Sequence, residues 1–233
     1  VLALLLAGYY LMATAAFQLA PVAEVALLIS TPPLFVLALR WAQGNPPARS
    51  EIGGALLAIG GMALILVPKM SFSSATSTLP THHLYGHLCA LGAAALAALY
   101  ASTYRVLSER GRAPEASGVS ILTFVIGGAV LIAMLALAPA PSGLFRLTGT
   151  DVLVFLGLGV LSTAVPTLGF ALASKRLPAI VTATISLFVP LFSGLFAFLI
   201  LGEPISLLFV AGSLLVLGGV AMIIRQSRAA NPA

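Results

Sequence analysis

The chain has 233 residues, of which 60% are hydrophobic and only 7% charged, with a mean hydropathy of +1.13. A soluble domain carries about 25% charged residues because its surface faces water, so this composition excludes a water-soluble fold and makes lipid the outer solvent. The net charge of +5 and pI near 9.9 would suit nucleic acid on their own, but the basic residues lie between apolar runs, as orientation signals do, and no basic stripe with interleaved aromatics is present.

A membrane span needs about 20 mostly apolar residues at 1.5 Å rise each, and eight stretches qualify. They are Leu2–Gln18, Val22–Trp41, Ile52–Val67, Tyr85–Leu107, Gly118–Ala138, Val152–Ser174, Ala179–Leu201 and Ser206–Ile224. No basic segment precedes the opening run, which therefore reads as a membrane helix of a truncated chain and not as a signal peptide. Lys69–Pro80 is loop by composition, and the tail Arg225–Ala233 is polar and expected to be disordered. Strands are excluded because lipid-facing barrels alternate with period two and these runs are apolar throughout. The single Cys89 excludes an intramolecular disulfide.

Positive charge in the short connections sets orientation. With an inside start, the inside connections hold Arg40, Arg49, Arg105, Arg110, Arg112, Lys175, Arg176, Arg225 and Arg228, and the outside ones only Lys69 and Arg146. Both termini are thus expected in the cytoplasm. The chain also repeats itself. Pro21 and Pro178 lie 157 positions apart, as do Pro33-Leu34-Phe35 and Pro190-Leu191-Phe192, and Gly54, Gly60 and Gly61 precede Gly212, Gly218 and Gly219 by 158. The charge bias of the two copies is opposite, which is the signature of an inverted-topology repeat and of secondary transporters. Inversion requires an odd number of spans per unit. The second unit has five and the first shows three, so two further helices are expected before Val1.

In Leu177-Pro178-Ala179, Val189-Pro190-Leu191-Phe192, Leu201-Gly202-Glu203-Pro204 and Gly212 with Gly218-Gly219, and in Ala20-Pro21-Val22-Ala23-Glu24 and Pro32-Pro33-Leu34-Phe35 of the first copy, the chain resembles the drug/metabolite transporter superfamily, specifically its EamA-like members. It departs at Gln43-Gly44-Asn45-Pro46, where the family shows Leu-Gly-Glu. The resemblance implies an all-α polytopic membrane protein of two inverted five-helix repeats, eight of an expected ten transmembrane helices being present, with a central cavity and alternating access. The expected divisions are residues 1–68 for the first repeat, 69–84 for an outer loop, 85–224 for the second repeat and 225–233 for a cytoplasmic tail. The expected setting is the bacterial inner membrane.

A solute path through lipid needs polar or aromatic groups facing an enclosed cavity. On the seventh span Thr182, Ser186, Val189 and Ser193 share one face, and Pro190 leaves the Ser186 carbonyl without its usual donor; the same residues also serve close helix packing. On the second span Glu24 and Thr31 are polar. Glu24 either binds a proton or an ammonium group, or is an interfacial carboxylate at a helix N-terminus, and its place near the outer end favours the second reading. Tyr10 with Thr14, and Tyr100, lie deep enough to need hydroxyl partners, whereas Tyr104 reads as an interfacial anchor. On the sixth span Thr163 and Thr167 flank Pro166, an expected break. His83 and His87 have metal-ligand spacing, but no Cys or nearby acid completes a set, so they read as interfacial and no metal or cofactor is expected. The Gly-rich third and eighth spans read as scaffold or as the contact for a homodimer, and not as cavity. The expected partners are a small-molecule substrate and the bilayer, with no nucleic acid. No Walker motif is present. An intramembrane enzyme would need a nucleophile–base pair or a metal inside the spans, and a channel would show no saturable uptake; a secondary transporter that exports small metabolites is the leading expectation.

Overall fold

The computed structural model describes residues 1–20, 22–70, 80–137, 148–188, 191, 192, 195, 196, 199 and 207–230. Regular structure among them is helical throughout. In chain order the elements are α1 (Leu2–Leu19), α2 (Val22–Ile29), α3 (Pro32–Ala42), α4 (Arg49–Met70), α5 (Pro80–Glu109), α6 (Ala116–Leu137), α7 (Gly149–Gly157), a π-helical segment (Leu158–Ala164), α8 (Val165–Arg176), α9 (Ala179–Ile185) and α10 (Leu207–Ala230). Six stretches of described residues are long and apolar enough to cross a bilayer. α4 is the third expected span, and α9 is the described start of the seventh. The protein is an integral membrane protein. Its outer surface is what lipid demands, with Leu153 and Leu161 each 72% exposed.

The expected second span is divided, and sequence explains where. Pro32 and Pro33 supply no N–H to the carbonyls of Leu28 and Ile29, and a residue preceding proline is disfavoured in the helical region. The chain turns at Ser30 and Thr31. The Thr31 hydroxyl donates to the Leu28 carbonyl at 2.6 Å, and the Ser30 hydroxyl to the Ala26 carbonyl at 2.6 Å. Such internal pairing is what allows a broken helix at membrane depth. The second copy breaks at the equivalent place. α9 stops at Ile185, and Ser186, 157 positions beyond Ile29, turns its hydroxyl onto the Ala183 carbonyl at 2.6 Å. Pro190, Val189 and Ser193 lie outside the described residues.

The sixth span is also irregular where a break was expected. The Pro166 ring would collide with the Ser162 carbonyl in a regular helix. The preceding turn widens instead, so the Val165 N–H reaches back to the Val160 carbonyl and the Thr163 hydroxyl to the Leu158 carbonyl at 3.1 Å, the five-residue spacing of a π-helix. A reciprocal Thr148–Asp151 capping box starts α7.

One end of the bundle carries the starts of α1, α4, α6 and α9 and the ends of α3, α5, α8 and α10. There Val36, Ala55, Ala98, Ile180 and Ile223 form one buried cluster, and Leu2, Leu6, Tyr100, Tyr104, Val119 and Ala171 another. We call it the basic end, since Arg40, Arg49, Arg105, Arg110, Arg112, Lys175, Arg176 and Arg225 belong to these termini. α5 is central. Its buried Ala90, Ala93, Ala94, Ala97, Ala98 and Ala101 make a smooth face on which neighbouring helices pack closely.

α4 and α10 cross with their backbones in contact. A Cβ built on Gly61 would lie 2.5 Å from the Gly212 carbonyl oxygen, and one on Gly212 would lie 2.6 Å from the Gly61 carbonyl oxygen. Gly54 and Gly219 meet in the same way. The expectation of a glycine scaffold holds as an intrachain contact. The tail expectation does not hold as written: α10 continues to Ala230. Gln226 to Ala230 contain no helix breaker, and each residue added to an existing helix gains a hydrogen bond with no new nucleation cost.

Candidate functional site

The contacts between the two copies locate an internal two-fold axis. The Gly54–Gly219 contact and the Gly61–Gly212 contact exchange under the 158-residue shift. So do the approaches of Gly61 to the Val216 nitrogen and of Gly219 to the Ala58 nitrogen. On the other side of the bundle the Tyr10 hydroxyl and the Thr167 hydroxyl hydrogen-bond at 2.5 Å, across a separation of 157 residues. Two residues that a two-fold axis exchanges can touch only on that axis. Tyr10–Thr167 is therefore an on-axis bridge between α1 and α8.

Around this bridge the structure gathers an aromatic and hydroxyl cluster from α1, α5 and α8. Thr167 is buried, and its hydroxyl donates to the Thr163 carbonyl at 2.6 Å, which leaves its lone pairs to accept from Tyr10. The Thr163 carbonyl lies at the exit of the π segment, so the irregularity and the bridge are connected. Thr14 is exposed and donates to the Tyr10 carbonyl at 2.8 Å. Tyr9 meets the Tyr10 ring edge-on at 5.1 Å. Tyr100 on α5 is fully buried, stacks on Phe170 of α8 at 5.6 Å with planes 18° apart, and meets Tyr104 edge-on at 5.6 Å. Its hydroxyl has no hydrogen-bond partner. A buried hydroxyl left unpaired costs about 1–3 kcal/mol, a debt that a polar group arriving from solution would cancel.

Of the expected site residues, Tyr10, Thr14, Tyr100 and Thr167 thus come from the helices that form this cluster, and Thr163 from the π segment that leads into α8. Thr31 and Ser186 are turned onto their own backbone at the two helix breaks. Thr182 on α9 is buried, with its hydroxyl unpartnered. Pro190 lies outside the described residues. Glu24 accepts a 2.6 Å contact from the His87 ring nitrogen, Nε2, joining α2 to α5, and both side chains are about one-third exposed or less. Tyr104 corrects its expectation. It is fully buried instead of lying in an interfacial belt, and its hydroxyl donates to the Pro114 carbonyl at 3.0 Å.

Sequence reasoning missed the polar network at the basic end. Arg40 Nη1 donates to Glu51 Oε1 at 2.7 Å, and Glu51 Oε2 accepts the Ala48 backbone N–H at 3.0 Å. Arg105 Nε donates to Glu109 at 2.7 Å, and Arg105 Nη1 to the Arg176 carbonyl at 3.0 Å. Only the i, i+4 spacing of Arg105 and Glu109 was a signal available in the sequence.

Residues 84–225 match the EamA-like transporter family. The chain is 32% identical over 183 residues to an uncharacterised protein of Pseudomonas aeruginosa, a match that covers 76% of this chain and 56% of the relative. The chain therefore spans just over half the length of that protein. A solved crystal structure superposes with a TM-score of 0.74 at 22% identity, covering 97% of this chain and 75% of the other, which is a likeness of fold.

Proposed function

Because the chain belongs to the EamA-like transporter family, we propose that it forms the core of a secondary transporter, an exporter of small metabolites that works by alternating access. The substrate classes in view are amino acids, nucleosides, sugars and drug-like molecules. The observation that carries the reading is the unpartnered Tyr100 hydroxyl, buried among Phe170, Tyr104 and the on-axis Tyr10–Thr167 bridge. A site shared by two inverted units lies where alternating access needs it, at the interface about which one unit rocks against the other. Residues 1–68 and 85–224 are the proposed units, 69–84 the outer connection and 225–233 the cytoplasmic end. Clustering of the arginines at one end supports a cytoplasmic location for that end, and the Pseudomonas relative supports a bacterial inner membrane.

The test is a thermal-shift screen in detergent against amino acids, nucleosides, sugars and polyamines, followed by uptake of each hit into proteoliposomes. A ligand that raises the melting temperature and shows saturable, competed uptake supports the reading. Uptake linear in concentration and insensitive to competitors would instead identify a channel.

The Glu24–His87 pair, which joins α2 to α5, is where proton coupling of the proposed transporter is tested. Glu24→Gln is expected to flatten the pH dependence of initial uptake rates. A variant whose pH profile still follows the wild type would assign the pair to holding α2 against α5.

A further inference from the structure

The basic end contains a pocket of about 230 Å³ between α3, α4, α5 and α9, lined by Arg40, Gln43, Glu51, Ser102, Arg105 and Glu109 among others. We propose that this pocket binds a small oxyanion, a carboxylate or phosphate group, separately from the cluster around Tyr100. The chemistry of its walls is unequal. Both oxygens of Glu51 are committed, one to Arg40 and one to the Ala48 N–H, and its side chain is only 5% exposed. Glu109 has one oxygen on Arg105 and stands 57% exposed to solvent. A guanidinium carries five N–H donors. Arg40 uses one of them on Glu51, while Arg105 uses one on Glu109 and one on the Arg176 carbonyl. Most of both forks is left without a protein partner, and Gln43 and Ser102 add neutral groups that can donate or accept. The two arginines and two carboxylates of the walls balance in charge, but seven of the ten guanidinium N–H donors are free among the described residues while both Glu51 oxygens and one Glu109 oxygen are engaged, which favours an anion over a cation.

The existing contacts also pre-orient the two forks. Gly44, with φ of +81°, closes α3 so that the Asn45 N–H caps the Arg40 carbonyl. Glu51, at the third position of α4, holds the Arg40 head from below while capping its own helix. Arg105 is fixed at two points, on α5 and at the end of α8. Planar guanidinium groups held in this way bind carboxylate and phosphate through paired N–H donors. The oxyanion has two sources, a soluble anion or the headgroup of an anionic phospholipid at the membrane surface.

The chain carries its own reporter, because its single tryptophan, Trp41, follows Arg40 and is 72% exposed. The full chain is placed in phosphatidylcholine nanodiscs, and Trp41 emission is followed while sodium phosphate or sodium acetate replaces sodium chloride at constant ionic strength. Saturable change with either salt, weakened about tenfold or more by Arg105→Gln, is the expected result for a soluble anion. If the change is already complete in nanodiscs containing phosphatidylglycerol, and in these Arg105→Gln restores the unliganded emission, the oxyanion is a lipid headgroup. Arg40→Gln would strand the buried Glu51 carboxylate, so Arg40→Lys is the second variant; it keeps the charge, loses the fork and is expected to weaken binding severalfold. No response of the wild-type protein to phosphate, acetate or phosphatidylglycerol overturns the proposal. So does a response that both variants retain in full.

Discussion

Gly61→Ala is expected to melt well below the wild-type protein, while Gly60→Ala, one position earlier on the same helix, melts at the same temperature or slightly higher. A methyl group on Gly61 would stand 2.5 Å from the Gly212 carbonyl oxygen and 2.8 Å from the Val216 nitrogen, whereas one on Gly60 meets nothing within 4 Å. The obstacle at Gly61 is backbone, which has no rotamer by which to withdraw, so α4 and α10 must separate along the crossing. Overpacking of this kind costs about 1–3 kcal/mol, and in lipid the loss falls on the close packing that holds helices together. At Gly60 the substitution relieves a helical glycine and gains up to about 1 kcal/mol. Far-UV circular dichroism melts of the two variants in one detergent make the comparison. Equal melting of Gly61→Ala and wild type would refute the backbone-to-backbone crossing.

Tyr100→Phe is expected to separate stability from transport. The hydroxyl is buried without a partner, so its removal leaves the melting temperature unchanged or raises it by the equivalent of about 1 kcal/mol. The ring, its stack on Phe170 and its edge contact with Tyr104 are retained. If the hydroxyl receives a solute, losing that hydrogen bond raises the apparent Kd or KM by about tenfold. A purely structural tyrosine would show the first effect without the second. Melting curves and initial uptake rates for a solute found in the thermal-shift screen distinguish the two, and wild-type uptake by Tyr100→Phe would remove this residue from the proposed site.

Much of the fold is legible in the composition because a bilayer imposes it. Backbone groups in hydrocarbon must pair within their own helix, so long apolar runs could be read as helices, and their ends agree with the observed ones to within a few residues for α1, α4 and α6. The break at Pro166 was expected, whereas the span across Pro32-Pro33 read as continuous. Pro32-Pro33 and Pro166 each mark a break, although which hydroxyl would take the freed carbonyl, and that one break would widen into a π turn, depends on packing that a local pattern does not contain. The site was less legible for the same reason. Tyr10 and Thr167 were both singled out, but nothing short of the 157-residue register says that they meet. Tyr104 was read by its depth along the helix, whereas its burial depends on α6 arriving beside it with the Pro114 carbonyl. Glu24 and His87 are 63 positions apart and share no local signature. The charged residues of the basic end were read only as orientation signals, since a count of arginines does not reveal that two of them face one pocket.

The on-axis bridge has a further consequence. If both halves were identical, the form open to one side of the membrane would be the other form viewed from behind, and the two would have equal energy. A tyrosine facing a threonine breaks that equality at one of the places where the halves meet across the axis. Exchanging the two residues would put the large ring on α8, just beyond the π segment, and the small hydroxyl beside Tyr9 on α1. Under the proposed alternating access, a resting preference for one side would follow from residues such as these, and exchanging them as Tyr10→Thr with Thr167→Tyr is a way to ask which side is preferred.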